Sequence, residues 1–215
     1  MGKYKLVLFD MDGTLLKERG IFAIAEKKGF LDDLYKYIRD GSLEYYQRSI
    51  VIAKLLKGYN KNEFLDIFKN IPYNKNVEKV INKLRKKGIK TAIATDSYQF
   101  LADDLKERLG IDYAFANIIK TNGDIFTGEL IIHNKNLTKD FNGENIYSIC
   151  KSCVLDQLCD NLKISVEEAI AVGDGIVDIG MIKKAGLGVA INASENVKKH
   201  ADLEIDDMNK ILNYI

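Results

Sequence analysis

Short apolar stretches recur along the chain and alternate with longer stretches whose apolar positions follow the period of a helix. The short stretches carry almost no polar position, which is typical of strands covered on both faces. They are Lys5–Asp10, Ile89–Thr95, Tyr113–Asn117, Ala169–Val172 and Leu187–Ile191. The helical stretches are Lys75–Lys87, Tyr98–Leu109, Tyr147–Asp160 and Ile176–Ala185. This alternation predicts crossover connections and a mainly parallel sheet.

Two segments interrupt the alternation. Residues 17–71 show helical spacing throughout, and helices are predicted at Glu18–Lys28, Leu31–Arg39, Leu43–Leu56 and Asn62–Lys69. Residues 118–137 place apolar runs on both sides of Asn122-Gly123-Asp124, the sequence signal of a β-hairpin. We therefore expect an α/β protein with three parts. These are a three-layer, Rossmann-like parallel sheet core (residues 1–16 and 72–215), a small helical cap domain (residues 17–71) and a β-hairpin flap.

The charge balance argues against a broad class of functions. The 215 residues include 32 Lys and Arg against 31 Asp and Glu, which gives a formal net charge of +1. A domain that neutralises a nucleic-acid backbone carries a clear basic excess, so we expect no nucleic-acid partner. The apolar runs are too short for a signal peptide core or a membrane span. They favour a soluble, cytoplasmic protein without a membrane partner.

The three cysteines are few and odd in number for this length, and they imply no disulfide framework. Cys150 and Cys153 lie three residues apart on a predicted helix face, and Cys159 follows on the same helix. No second cysteine pair or histidine cluster completes a zinc site. We expect these side chains to contribute packing in a reducing compartment.

Two of the predicted strands end in aspartates. The first runs into Asp10-Met11-Asp12-Gly13, and a later one runs into Gly173-Asp174-Gly175 followed by Asp178. The carboxyl ends of parallel strands meet at one edge of a sheet, where α/β proteins bind ligands. We therefore expect the four carboxylates to crowd together at that edge. Negative charges crowded together in this way repel each other strongly. A cation that takes hard oxygen ligands, such as Mg²⁺, relieves the repulsion.

Two further side chains occupy positions where an anion can bind. Thr95 lies where another strand gives way to a helix, so its hydroxyl and the N–H groups of the next turn can bind anionic oxygens. Lys151, near the start of a later helix, can neutralise a phosphate. Each signal alone is weak, because threonine often caps helices and most lysines are solvated. Three predicted strands end in residues that can bind an anion or a cation, and this recurrence favours a shared site.

Together these segments resemble the motifs of the haloacid dehalogenase superfamily of phosphotransferases, in matching order over nearly the whole chain. The run from Asp10 to Leu15 looks like the first motif, Thr95 the second, Lys151 the third and the run from Gly173 to Asp178 the fourth. The likeness is strongest to phosphoserine phosphatases, which share the helical insert and the hairpin.

The resemblance implies a role for each matching residue. Asp10 is then the nucleophile that forms an aspartyl-phosphate, and Asp12 is the acid and base that protonates the leaving alcohol and activates water. Mg²⁺ is held by the carboxylates of Asp10 and Asp174 and by the backbone carbonyl of Asp12. By the same resemblance, Thr95 and Lys151 bind phosphoryl oxygens. Asp178 then orients Lys151 or a metal-bound water.

The chain departs from the phosphoserine phosphatases at the positions where those enzymes bind the serine. Arg19 stands at the place of the glutamate that binds the serine amine. Ile52 stands at the place of the cap arginine that binds the serine carboxylate, with Arg48 one helical turn earlier. Val177 replaces an asparagine of the fourth motif, and Asp96 adds negative charge beside the second. Arg19 would suit a substrate with an extra anionic group.

We expect a Mg²⁺-dependent phosphomonoester hydrolase that acts on a small phosphorylated metabolite through an aspartyl-phosphate, with phosphoserine as one candidate. Three alternatives stay open: a phosphotransferase or phosphomutase of the same superfamily, a receiver-like signalling protein, and a non-catalytic protein that binds a phosphorylated ligand. Receiver domains are near half this length and lack the insert, and the filled catalytic positions argue against the last alternative. The sequence leaves open the oligomeric state and the choice between Mg²⁺ and Mn²⁺.

Overall fold

The strand that carries the first aspartate motif lies in the middle of the sheet. The computed structural model describes residues 2–215. Within them the sheet contains β1 (Leu6–Phe9), β2 (Lys90–Tyr98), β3 (Tyr113–Asn122), β4 (Ile125–Ile131), β5 (Ala169–Gly173), β6 (Leu187–Ile191) and β7 (Leu203–Ile205). Their order is β4–β3–β2–β1–β5–β6–β7. Neighbouring strands are parallel except β3 and β4, which form an antiparallel hairpin. The predicted parallel sheet and hairpin flap are confirmed.

Helices cover both faces of this sheet. In chain order they are α1 (Gly20–Lys28), α2 (Leu31–Ile38), α3 (Tyr45–Leu55), α4 (Lys61–Phe68), α5 (Val77–Lys86), α6 (Gln99–Leu109), α7 (Lys151–Leu162), α8 (Ile179–Lys184) and α9 (Glu195–Lys198). On one face Val7 and Phe9 pack with α5 and α6, and on the other Leu6 and Leu8 pack with α7 and α8. Side chains alternate along a strand, so the continuous apolar run of β1 serves both layers. The three-layer prediction is confirmed.

The edge strand β7 was not predicted. It has three residues, Leu203-Glu204-Ile205, and an aspartate stands on each side of it. Three alternating positions give too little periodicity for a strand to be recognised. The hairpin at the opposite edge was predicted correctly from Asn122-Gly123-Asp124. In the structure Gly123 has φ +58°, a conformation that glycine adopts without strain.

Helices α1–α4 fill the segment between β1 and α5. The chain enters and leaves this segment side by side, since the N–H of Lys17 donates to the carbonyl of Pro72 at 3.0 Å and Leu16 bridges to Tyr73. The far side of the segment is bonded to the hairpin. The N–H of Gly58 donates to the carbonyl of Phe126 at 2.9 Å, and the N–H of Phe126 donates to the carbonyl of Tyr59 at 3.0 Å. The division into residues 17–71 and the rest stays a prediction.

The cysteines do not follow the expectation. Cys150 and Cys153 form a disulfide bond with a Cα–Cα distance of 5.2 Å, so the expectation of no disulfide is wrong. The physical reason is a helix boundary: α7 begins at Lys151 rather than at Tyr147, so Cys150 is the extended cap residue and not part of the helix. Its side chain turns back over the first turn, where Cys153 lies. Cys159 is free and packs in the core.

The nine helices found in residues 2–215 are short or interrupted by polar positions. None of them combines the length and the apolar character needed to cross a bilayer.

Candidate active site

The carboxyl ends of β1 and β5 bring predicted site residues together. These strands pair in parallel with Phe9 opposite Val172, and the N–H of Asp10 donates to the carbonyl of Val172 at 2.9 Å. Asp10 and Asp174 therefore follow neighbouring strand ends. One carboxylate oxygen from each of Asp10, Asp174 and Asp178 lies within 4.8 Å of the other two. We call these three residues the carboxylate cluster.

Asp12 is not part of the carboxylate cluster, so the expectation that all four carboxylates crowd together is wrong for this residue. The physical reason is that β1 ends at Phe9, and Asp10 and Asp12 no longer share the face of a regular strand. Asp12 turns towards the helical segment, where its Oδ1 accepts a hydrogen bond of 2.7 Å from the N–H of Gly20, the first residue of α1. Its side chain is buried.

The loop after β1 is shaped by close approach to Asp174. Gly13 has φ +86°, and a Cβ at this position would lie 2.4 Å from Asp174 Oδ2, so only glycine fits. Thr14 Oγ1 donates to Asp174 Oδ1 at 2.9 Å. The side-chain amide of Asn74 donates to the carbonyls of Gly13 at 2.7 Å and Thr14 at 2.9 Å. Asn74 thus holds the loop, a role that sequence reasoning missed because it lies about 60 residues away in the chain.

Lys151 is fully buried within the carboxylate cluster, at the first position of α7. Its Nζ donates to Asp10 Oδ1 and, at 2.6 Å, to Asp178 Oδ1. The other oxygen of Asp178 accepts the N–H groups of Asp174 at 3.1 Å and Gly175 at 2.9 Å. A buried ammonium is stable only when paired in this way, which is why this lysine is not a solvated surface residue.

The pKa values record an excess of buried negative charge. Burial, reinforced by the charge of Asp178, raises the pKa of Asp10 well above its usual range, and burial and Asp178 also raise the pKa of Asp174. Burial raises the pKa of Asp12 to about 7, against the opposing hydrogen bond from Gly20. Burial lowers the pKa of Lys151, but the carboxylates of Asp10 and Asp178 outweigh it, and the pKa of this lysine is raised overall. One ammonium does not neutralise the cluster.

The carboxylate cluster fits a divalent cation. Its ligand atoms are all carboxylate oxygens. Hard cations such as Mg²⁺, Mn²⁺ and Ca²⁺ bind such oxygens, whereas softer metals favour sulfur or nitrogen ligands. Both oxygens of Asp178 already accept protein hydrogen bonds. Asp10 and Asp174 each keep one oxygen, Oδ2, that accepts no hydrogen bond from the described part of the chain. These two residues are therefore the carboxylates available to a metal.

Thr95 and its neighbours form the wall on the other side of β1. Thr95 is fully buried in β2, which continues to Tyr98 rather than ending at the threonine, and its Oγ1 accepts the N–H of Ser97 at 3.2 Å. The Ser97 hydroxyl is buried and has no hydrogen-bond partner in residues 2–215. Asn117, at the end of an apolar run in β3, donates to the Asp96 carbonyl at 2.7 Å and thereby fixes this wall. The sequence signal for this contact was available, because Asn117 is a polar residue inside an apolar run.

A cleft of about 240 Å³ opens between this wall and the helical segment. It is lined by aliphatic and tyrosine side chains and by nearly as many charged or polar ones. The lining residues include Asp12, Arg19, Arg48, Ile52, Asp96 and Ser97. The arrangement places a lysine-paired carboxylate at the end of the central strand and a substrate-sized cleft beside it.

A parallel α/β sheet with such an aspartate at the end of its central strand is an arrangement that suits an enzyme with a carboxylate nucleophile. A family model described as haloacid dehalogenase-like hydrolase matches residues 4–186. The chain belongs to this family, and the resemblance stated from the sequence is confirmed.

Relatives with stated activities support the same assignment over the full length. A phosphoserine phosphatase from Methanocaldococcus jannaschii is 33% identical, over 99% of this chain and 98% of that protein. A substrate-bound phosphoserine phosphatase complex has a TM-score of 0.83 at 31% identity and covers both chains completely. A phosphoserine phosphatase with a phospho-aspartyl intermediate analogue has a TM-score of 0.82 at 31% identity, with 99% of each chain covered.

Proposed function

We propose that the chain is a magnesium-dependent phosphatase that hydrolyses small phosphomonoesters through an aspartyl-phosphate on Asp10. The observation that carries the proposal is the position of this carboxylate. It lies buried at the end of the central strand, hydrogen-bonded to Lys151, and it keeps one oxygen without a protein donor. A carboxylate held in this way is oriented for attack and cannot turn away.

The reaction has two steps that share one pair of aspartates. In the first, a carboxylate oxygen of Asp10 attacks phosphorus, the bond from phosphorus to the ester oxygen breaks, and Asp12 gives its proton to the leaving alcohol. In the second, Asp12 takes a proton from water, whose oxygen attacks phosphorus and releases inorganic phosphate and the free Asp10 carboxylate. Burial raises the pKa of Asp12 to about 7, which supports both roles because each protonation state is accessible near neutral pH.

The remaining residues supply charge and position. Asp10 and Asp174, with the backbone carbonyl of Asp12, would hold Mg²⁺, which offsets the repulsion between an anionic nucleophile and an anionic ester when bound. Lys151 and the Thr95 hydroxyl bind phosphoryl oxygens. Asp178 orients Lys151 and the loop after β5 through the hydrogen bonds described above.

Phosphoserine is the first substrate to test, because the relatives reported above are phosphoserine phosphatases. Residues 17–71 act as the cap domain, since their helices face the site across the cleft and the N–H of Gly20 bonds to Asp12. A cap that closes over the cleft excludes water until the ester is bound.

The test is an assay of phosphate release from small esters, with Mg²⁺ and with EDTA, beside Asp10→Asn. We expect metal-dependent turnover that the substitution abolishes, and a phosphorylated protein from radiolabelled substrate whose label hydroxylamine removes. Turnover that persists in EDTA or in the variant contradicts the proposal. Transfer of the label to an added alcohol instead of water would identify a phosphotransferase, and a label stable for hours would identify a receiver-like protein.

A further inference from the structure

A disulfide bond encloses the lysine of the carboxylate cluster. Cys150 is the extended residue before α7, Lys151 is the first residue of the helix, and Cys153 lies in its first turn. The cross-link therefore closes a loop of four residues around Lys151, whose Nζ donates to Asp10 and Asp178. Neither sulfur atom has a part in the proposed phosphatase reaction.

The first turn of α7 is the part of this helix with the fewest backbone restraints. The first bond within the helix runs from the N–H of Val154 to the carbonyl of Cys150 at 3.0 Å. The three N–H groups before Val154 therefore have no partner within the helix. One of them, that of Cys153, donates to the Cys150 sulfur at 3.3 Å. Helix ends open more readily than helix interiors, and a cross-link across this turn opposes such opening.

The chain is anchored on both sides of the bridged turn. Before it, Ser148 is buried, and its hydroxyl accepts a hydrogen bond of 2.9 Å from the side-chain amide of Asn117. After it, Val154 and Leu155 are buried in the core with Leu6 and Leu8 of β1. Opening of residues 150–153 therefore requires no change in the sheet. It would loosen the short segment that carries the buried ammonium.

The two sulfur atoms differ in a way that favours attack at Cys153. Cys153 is exposed, whereas Cys150 is half-buried. A thiolate that attacks the Cys153 sulfur breaks the S–S bond and releases Cys150 as a thiolate. This leaving group lies at the N-terminus of α7, where it already accepts the N–H of Cys153. Negative charge is stabilised at such a position, and a stabilised leaving thiolate speeds exchange.

We propose that Cys150 and Cys153 form a site of reversible exchange with dithiols, and that the closed disulfide holds Lys151 in the position that binds phosphate. The assignment rests on the proposed phosphatase function and describes regulation of the same site. In the second step the other thiol of the dithiol attacks the mixed disulfide on Cys153, and the dithiol leaves as a cyclic disulfide. Its two electrons and two protons end on the two cysteine thiols. Lys151 is then held by its ion pairs without the cross-link.

The experiment measures kcat/KM for O-phosphoserine and ethyl phosphate in Mg²⁺, before and after treatment with dithiothreitol. We expect reduction to lower kcat/KM about 10-fold for both esters, because Lys151 contacts the phosphate that they share; a 1 Å displacement costs up to roughly 100-fold. The inhibition constant of inorganic phosphate should rise by a similar factor, since this anion uses the same lysine. Glutathione disulfide should restore both values.

The chain offers two matched variants. Cys150→Ser/Cys153→Ser keeps a residue that caps helices well and removes only the cross-link. It should behave like the reduced chain, with or without dithiothreitol. Cys159→Ser removes the buried free thiol and should keep the full response to the reductant.

The proposal is overturned if reduction leaves kcat/KM unchanged, if the two esters respond differently, or if the double variant still responds to dithiothreitol. A lower rate with an unchanged inhibition constant for phosphate also contradicts it, because loss of folded protein gives that result.

The number of free thiols is a readout that does not depend on activity. Mass spectrometry after alkylation in denaturant should find one free cysteine before reduction and three after it. A chain that keeps three free thiols in glutathione disulfide refutes the exchange site. If no ester is hydrolysed in either state, or Asp10→Asn retains turnover, the proposed function fails and the regulatory role fails with it. The thiol count still decides whether exchange occurs, so the two failures are distinct.

Discussion

The carboxylate cluster and the cleft lie side by side but are built in different ways. The cluster comes from the chain that follows the ends of β1 and β5. Asp10 and Asp178 are buried, Asp174 is half-buried, and four of the six carboxylate oxygens accept a protein hydrogen bond. The cleft is built between that sheet and the helical segment, and two of its charged side chains, Arg19 and Asp96, make no hydrogen bond or ion pair with the described residues. The cluster is thus pre-organised by the protein, whereas the cleft is completed by what binds in it. Chemistry and selectivity should therefore respond to different substitutions.

Removal of Asp10, the proposed nucleophile, should give the largest effect. Asp10→Asn is expected to lower kcat by about 10⁴-fold or more for every ester, because the covalent step has no substitute. Steady-state assays with O-phosphoserine and ethyl phosphate measure the loss for each ester. Asp33→Asn, exposed on α2, is the control. Unequal losses for the two esters would mean that the cluster itself discriminates between substrates.

Removal of the buried ammonium should destabilise the fold as well as the reaction. Lys151→Met leaves Asp10 and Asp178 facing each other without a cation, and we expect a loss of about 3–5 kcal/mol in the free energy of unfolding at neutral pH. Lys184→Met breaks an exposed pair with Asp156 and should cost at most about 1 kcal/mol. Urea unfolding in EDTA compares the two variants. Equal losses would refute the view that the buried pair is special.

The pH dependence of stability should follow the same buried charges. The pKa of Asp12 is raised to about 7 in the folded protein. A raised carboxyl pKa contributes stability that is fully present below the unfolded value and is lost as pH rises through 7. In EDTA the free energy of unfolding should therefore fall between pH 6 and pH 8, and less steeply in Asp12→Asn. Added Mg²⁺ should restore more stability at pH 8 than at pH 6. Identical slopes in both proteins would contradict this.

The disulfide beside Lys151 offers a smaller perturbation of the cluster. It closes a loop of four residues, for which chain entropy gives about 2 kcal/mol. Dithiothreitol should lower the unfolding free energy of the native chain by up to that amount. It should have no effect on the Cys150→Ser/Cys153→Ser variant, which serves as the control. A reductant effect that persists in the double variant would have to come from elsewhere.

The smallest effect is expected at the apolar wall of the cleft. Ile52→Ala removes part of the surface that a bound ester covers, so KM should rise about fivefold and kcat should change less. Ile118→Ala, an exposed residue on the hairpin, is the control. A fall in kcat with constant KM would show that this wall shapes the transition state and would blur the distinction between cleft and cluster.

The sequence predicted most of the scaffold because its signals are local. Five strands, the hairpin turn and the clustering of Asp10, Asp174 and Asp178 follow from periodicity and from residues at strand ends. Asn74 was missed because its partners are carbonyl groups about 60 residues away, and no pattern in the chain records such a contact. The disulfide was missed for a related reason, because it depends on the residue at which α7 begins.

The charges of the cleft show a further limit of sequence reasoning. Arg19 and Asp96 are 77 positions apart in the numbering, and each alone resembles an ordinary surface charge. Only the folded chain places them along the same cleft. Residues that are placed by strands could be predicted, and residues that meet across the gap between two segments could not.

The backbone bonds between the helical segment and the β3–β4 hairpin constrain how a ligand can enter. Gly58 and Tyr59 are hydrogen-bonded to Phe126 of β4. The helices near them therefore cannot move away from the sheet without breaking these bonds or moving the β3–β4 hairpin with them. The hairpin includes β3, and the side-chain amide of Asn117 in β3 donates a hydrogen bond to the Asp96 carbonyl. A movement of the helical segment that widens the cleft is therefore expected to displace β3, and with it the backbone of Asp96 in the cleft wall.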